Sequence, residues 1–120
     1  MKVGILILSL DNCYLSADGK LPKRPKFDKA LLTALCRDHK VIVGPHTRKS
    51  IPDSLLKDSE IIDWYGDYDL NLGIVTMKIN PPHLLIVVRS IVNLPEGKKF
   101  DLSGYSSYFK SLHLELWIKD

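Results

Sequence analysis

The chain has 120 residues, 45% of them hydrophobic, which suits one domain around a single core and no more. Its net charge of +3 comes from 17 basic and 14 acidic residues dispersed along the chain, a pattern that argues against nucleic acid as the partner. Cys13 and Cys36 sit in apolar surroundings without CxxC or His-rich spacing and read as two reduced, mostly buried thiols, not as a disulfide or a metal site.

Val3–Leu10 is a continuous apolar run bounded by Asp11-Asn12, the pattern of a strand buried on both faces. The run is too short to span a membrane. Only Lys2 precedes it and no small-residue cleavage site follows, so a soluble cytoplasmic protein without a signal peptide is expected. Ala17-Asp18-Gly19-Lys20-Leu21-Pro22 is loop chemistry. From Asp28, apolar residues recur at Ala30, Leu31, Ala34 and Leu35, which is helical spacing with an acid in the first turn.

Val41–Val43 reads as a second buried strand, and Thr47–Leu56 as the start of a helix that Pro52 limits. Glu60–Tyr65 is a strand candidate, Gly66–Asp69 a turn and Leu72–Ile79 an edge strand. After Pro81-Pro82, His83–Val88 is the strongest β run in the chain. Leu94–Lys99 reads as a loop, Ser103–Ser111 as a short helix and Leu114–Ile118 as a final strand. Strands alternating with helices predict an α/β fold, a mostly parallel twisted sheet with helices on both faces and right-handed crossovers.

The order of the chemistry-bearing pieces carries a resemblance. Asp11, the loop Ser16–Lys20, Leu21-Pro22, Asp28 and then Val41-Ile42-Val43-Gly44-Pro45-His46-Thr47 follow one another along the first half of the chain. This resembles the dihydrofolate reductases, in which a first strand ends in Asp and a loop leads to Leu/Met-Pro. There the next helix carries an acid, and a strand then enters a Gly-x-x-Thr turn. Ser9-Leu10-Asp11 is also similar to the opening of the riboflavin-biosynthesis reductase domain, which shares that fold.

The resemblance implies NADPH as cofactor and dihydrofolate, or a related pterin or pyrimidine, as substrate. It implies Asp28 as the catalytic acid, and an acid in an apolar pocket holds its proton more tightly. Gly44, His46, Thr47 and Arg48 would meet the cofactor phosphates, with Gly104 in a second cofactor turn. Ile7, Leu31 and Lys57 would line the substrate. No metal is implied.

The chain also departs from the family. Lys23 stands where Trp is usual, Pro45 where a basic residue commonly follows the glycine, and Lys57 where an Arg grips the folate tail. A lysine is a point charge without the bidentate fork. The second cofactor turn falls at Ser103-Gly104-Tyr105, preceded by Lys98-Lys99-Phe100-Asp101 and not by an apolar strand. With Leu114–Ile118 as the last strand, the sequence reads as a truncated, degenerate relative lacking the C-terminal hairpin.

A second reading stays open beside the enzyme. In it the chain is a non-catalytic relative reused as a protein-binding module, of the trimmed kind common in viral and mobile-element genomes. Trp64, Tyr65, Tyr68, Tyr105 and Tyr108 would then serve an interface, or a free sheet edge would pair with a second copy.

Overall fold

The apolar run near the N-terminus forms strand β1, Lys2–Leu8, every residue of which beyond Lys2 is buried. It is central because nothing in it needs water. The computed structural model describes residues 1–13, 29–44, 47–48, 51, 53–64, 67–72, 74–76, 81–90, 98–111 and 114–120. The loop from Ala17 to Pro22, Asp28, Pro45, His46, Pro52, Tyr65, and residues 77–79 and 94–97 lie outside the described residues.

Parallel partners flank β1 on both sides. Strand β2, Lys40–Val43, pairs with it from Lys2↔Lys40 to Ile5↔Val43, and β3, Glu60–Asp63, adds outside β2. Two short strands, β4 (Asp67–Asp69) and β5 (Ile74–Thr76), then leave this sheet. Strand β6, Leu84–Arg89, returns to lie parallel on the other side of β1, from Val3↔Leu84 to Leu8↔Arg89. The two-residue strand β7, Lys99–Phe100, joins β5. Finally β8, Tyr105–Lys110, and β9, Leu114–Lys119, run antiparallel to each other, with β9 against β6. The main sheet has the order β3-β2-β1-β6-β9-β8 and the small one β4-β5-β7. The fold is therefore α/β around a mostly parallel mixed sheet.

Helix α1, Lys29–Cys36, follows from the spacing but buries a different stripe than expected. Leu31, Leu32, Leu35 and Cys36 pack on the sheet, while Ala30 and Ala34 face solvent. The two i,i+4 pairs of larger side chains take the core face because they remove more apolar area from water. Asp38, at φ 61, reverses the chain after the helix and leads into β2.

α1 and the 3-10 turn over Asp53–Leu56 pack on the same face, with Val3, Ile5, Val41, Val43, Leu84 and Ile86. The opposite face carries Leu6, Leu8, Ile42, Leu85 and Val87, and it is covered by Val75 of β5, Phe100 of β7 and Trp64. Among the described residues both helical segments lie on the first face. The described cover of the second side is the small sheet and Trp64. Trp64, an expected interface aromatic, belongs to this core and meets Phe100 edge to face at 6.1 Å.

Four further expectations change. Ser103–Ser111 is not a helix, because Tyr105–Lys110 finds its backbone partners on β9 with a bulge between Ser107 and Phe109. The chain consequently ends in an antiparallel hairpin, where the sequence reading expects none. Asp67–Asp69 is a strand, not a turn, and β5 lies between β4 and β7, not at an edge. Strands this short carry too few residues for their period to show in sequence.

Candidate functional site

In open α/β sheets ligands bind beyond the carboxyl ends of the parallel strands. Here that edge is formed by the residues following β1, β2 and β6. Gly44 is buried directly after β2, and the Arg48 amide donates to the Gly44 carbonyl at 2.9 Å, an i to i−4 bond, with Thr47 and Arg48 in helical conformation. Thr47 is fully buried and Arg48 is exposed. Ile7 is buried at the same edge, paired with Val88 and, by alternation with Val3 and Ile5, on the α1 side. Leu31 is half-buried against the core of that same side.

Two expected site residues lie elsewhere. Lys57 is exposed just before β3, and the neighbouring Asp58 carbonyl accepts the Asp38 amide that precedes β2. This is the amino edge of the sheet. Gly104, at φ +87, is also exposed there, its carbonyl accepting the amide of Asp120 while the next amide, that of Lys119, donates to His83 just before β6. The structure thus brings Ile7, Gly44, Thr47 and Arg48 to the carboxyl edge, with Ile7 and Leu31 on the α1 side, and it places Lys57 and Gly104 at the opposite edge. The physical reason for Gly104 is strand direction: β9 runs antiparallel to β6, so the start of β8 lies where β6 begins. Asp28 and His46 lie outside the described residues.

The most ordered polar feature of the carboxyl edge is centred on Arg89, the last residue of β6. Its Nε and Nη2 donate to the two carboxylate oxygens of Glu115 at 3.0 and 2.8 Å. Its Nη1 donates to the Ser9 carbonyl at 2.8 Å and to Asn12 Oδ1 at 2.6 Å. Both side chains of the ion pair are only 11% exposed. Burial alone would raise the Glu115 pKa, but hydrogen bonds from Arg89 and Trp117 and the guanidinium charge hold it below its ordinary value.

The turn after β1 is fixed in the same way. Ser9 Oγ donates to Asp11 and accepts the Cys13 amide, while Asn12 takes the left-handed conformation at φ 65. Four of the five guanidinium N–H groups are directed at protein oxygens, so Arg89 holds the turn in place and is not a free anion anchor. The sequence reading missed it. Its signal was an acid at Glu115 between Leu114 and Leu116, on the inward face of an apolar strand, which calls for a cationic partner.

Of the two expected donors at this turn, Arg48 is exposed and can meet an anion, whereas the fully buried Thr47 presents no accessible hydroxyl. Among the described residues no three His, Cys, Asp or Glu side chains are disposed to hold a metal ion, and no helix is long and apolar enough to cross a membrane. No protein-family model matches this chain, and no curated protein matches it.

Proposed function

We propose that the chain is a dihydrofolate reductase-like domain that binds a nicotinamide dinucleotide phosphate through the Gly44–Arg48 turn. A pterin or pyrimidine ring would lie against Leu31, with Ile7 behind it. The observation that carries this reading is the position of the turn: it leaves the carboxyl end of a parallel strand adjacent to the central strand, where such sheets take their ligands. The closing hairpin of β8 and β9 adds support, because the resemblance calls for one.

In this reading Arg48 holds phosphate oxygens, Thr47 fixes the turn from within the core, and Asp28 hydrogen-bonds the substrate ring and handles its proton. The bound dinucleotide would supply the hydride. Leu31, backed by the buried Ile7, would present the apolar wall that orients the ring and excludes water. Gly104 and Lys57 have no part in this site.

A second reading keeps the fold and drops the chemistry, leaving a domain that binds another protein. The placement of Lys57 and Gly104 at the far edge favours it, since two positions that the reductase reading needs lie away from the Gly44–Arg48 turn.

Calorimetric titration with NADPH, alone and with methotrexate, separates the two. The reductase reading expects micromolar binding that each ligand enhances for the other. It also expects Arg48→Gln to weaken NADPH roughly tenfold, about 1.4 kcal/mol. Asp28→Asn should abolish turnover with dihydrofolate while leaving NADPH affinity intact. Absence of binding to either ligand overturns the reading.

A further inference from the structure

Strand β8 is the outermost of the main sheet, and among the described residues it pairs with β9 alone. All its residues after Tyr105 are exposed. Tyr108 is 72% exposed and Phe109 43%, and Ile118 beside them on β9 is 41% exposed. A six-residue edge with large apolar side chains is a template for another strand. The question is which strand fits.

The bulge answers it. Asp120 donates its amide to Gly104, and Ser111 donates its amide to Leu114, so hydrogen-bonded and non-bonded pairs can be counted inward from both ends of the ladder. The count turns the carbonyl of Tyr105, and both backbone groups of Ser107 and Lys110, away from β9. The Tyr105 amide is occupied by the Leu102 carbonyl. The pairs Ser106↔Ile118 and Phe109↔Leu116 place Ser106 and Phe109 on the α1 face, and Tyr105↔Lys119 and Lys110↔Glu115 place Tyr105 and Lys110 on the other.

In a regular strand, positions 105 and 110 would face opposite sides and could not oppose each other in a two-fold antiparallel pair. The extra residue at the bulge restores the match. Tyr105 then opposes Lys110 and Ser106 opposes Phe109, with both the face and the hydrogen-bonding direction agreeing at these two pairs, while the axis falls at the bulge itself. This register is self-complementary: it matches β8 to a second β8 without any other sequence.

We propose that two copies of this chain pair antiparallel through β8, about a two-fold axis between Ser107 and Tyr108, so that one continuous sheet crosses the dimer. Phe109 of each copy lies opposite Ser106 of the other, a side chain small enough to let the ring reach over to Ile118. Lys110 lies opposite a tyrosine, so no like charges oppose each other. The arrangement is isologous and closes on itself, which removes the free edge of both copies. It stands independently of the reading proposed for the carboxyl edge.

Sedimentation equilibrium from about 1 to 200 µM tests it, the range in which a short strand-pairing interface associates. The expected result is a monomer–dimer equilibrium. Phe109→Lys, at an exposed position, should raise the dissociation constant at least about tenfold with an unchanged circular dichroism spectrum and melting midpoint. Ser107→Pro, which deletes one outward amide, should act in the same direction. The register is read separately by the double variant Ser106→Cys/Phe109→Cys, which should oxidise to a covalent dimer while Ser106→Cys alone does not. A monomer throughout the range, an open series of higher oligomers, or a dimer that Phe109→Lys leaves untouched overturns the proposal.

Discussion

Arg89 and Glu115 form a bidentate ion pair between β6 and β9, and the same guanidinium ties down the turn that follows β1. Three strands are therefore locked together at the carboxyl edge by one buried cation. Removing one partner of such a pair leaves a charge with little access to water, at a typical cost of ~3–5 kcal/mol. Arg89→Met should lose about that much stability in urea unfolding, and Arg89→Met/Glu115→Leu should recover most of it. The pH dependence has a definite sign. The pKa of Glu115 is lowered on folding, so its contribution is present above the ordinary carboxylate value and is lost as pH falls through the folded value. Acid unfolding of Glu115→Gln should be correspondingly shallower.

Gly4 lies where β1 passes under Pro82. A Cβ there would come within 2.8 Å of Pro82 Cγ and 2.9 Å of Leu85 Cδ2. The proline ring cannot swing aside, and Leu85 is itself fully buried in the second core. Gly4→Ala should therefore destabilise by ~1–3 kcal/mol through overpacking, although alanine is ordinarily the better residue inside a regular element. Equilibrium denaturation decides this, and an unchanged midpoint would show that β1 and Pro82 part easily.

Cys13 and Cys36 are both reduced thiols, in no disulfide, and fully buried. Burial pushes the Cys36 thiol up to about 11 and raises Cys13 as well. Since the thiolate is the reactive species, neither should react with a thiol reagent at neutral pH except through opening of the structure. Labelling of the native protein should be slower than labelling in denaturant by orders of magnitude. Rapid reaction of Cys13 would show that the turn from Ser9 opens locally despite Arg89.

The parts of the fold legible in the sequence were those whose signal is local. β1, β2 and β6 are continuous apolar runs, α1 shows its 3.6-residue period, and the burial of both cysteines followed from their neighbours. β8 was misread because Tyr105 and Tyr108 stand three apart, a helical spacing, while the partner that makes them a strand lies beyond the turn. Gly104 was assigned to a cofactor turn from its flanking serine and tyrosine, but which edge it occupies depends on the direction of β9. Arg89 looked like the end of a strand; its role appears only once Glu115 is folded against it.

Tyr105 joins the hairpin to the turn before β6, its hydroxyl donating to the Pro82 carbonyl at 2.7 Å. Desolvation pushes its pKa from the ordinary 10.0 up to about 12. A folded pKa above the unfolded one means that this contribution is complete below the unfolded value and is lost as pH rises towards the folded one. The window is alkaline, between 10.0 and about 12. Tyr105→Phe should cost ~0.5–1.5 kcal/mol at neutral pH through the lost hydrogen bond. It should also remove part of the alkaline loss, so the stabilities of variant and parent converge as pH rises through that window. Parallel curves for the two proteins would instead assign alkaline unfolding to other groups and leave Tyr105 as a packing residue.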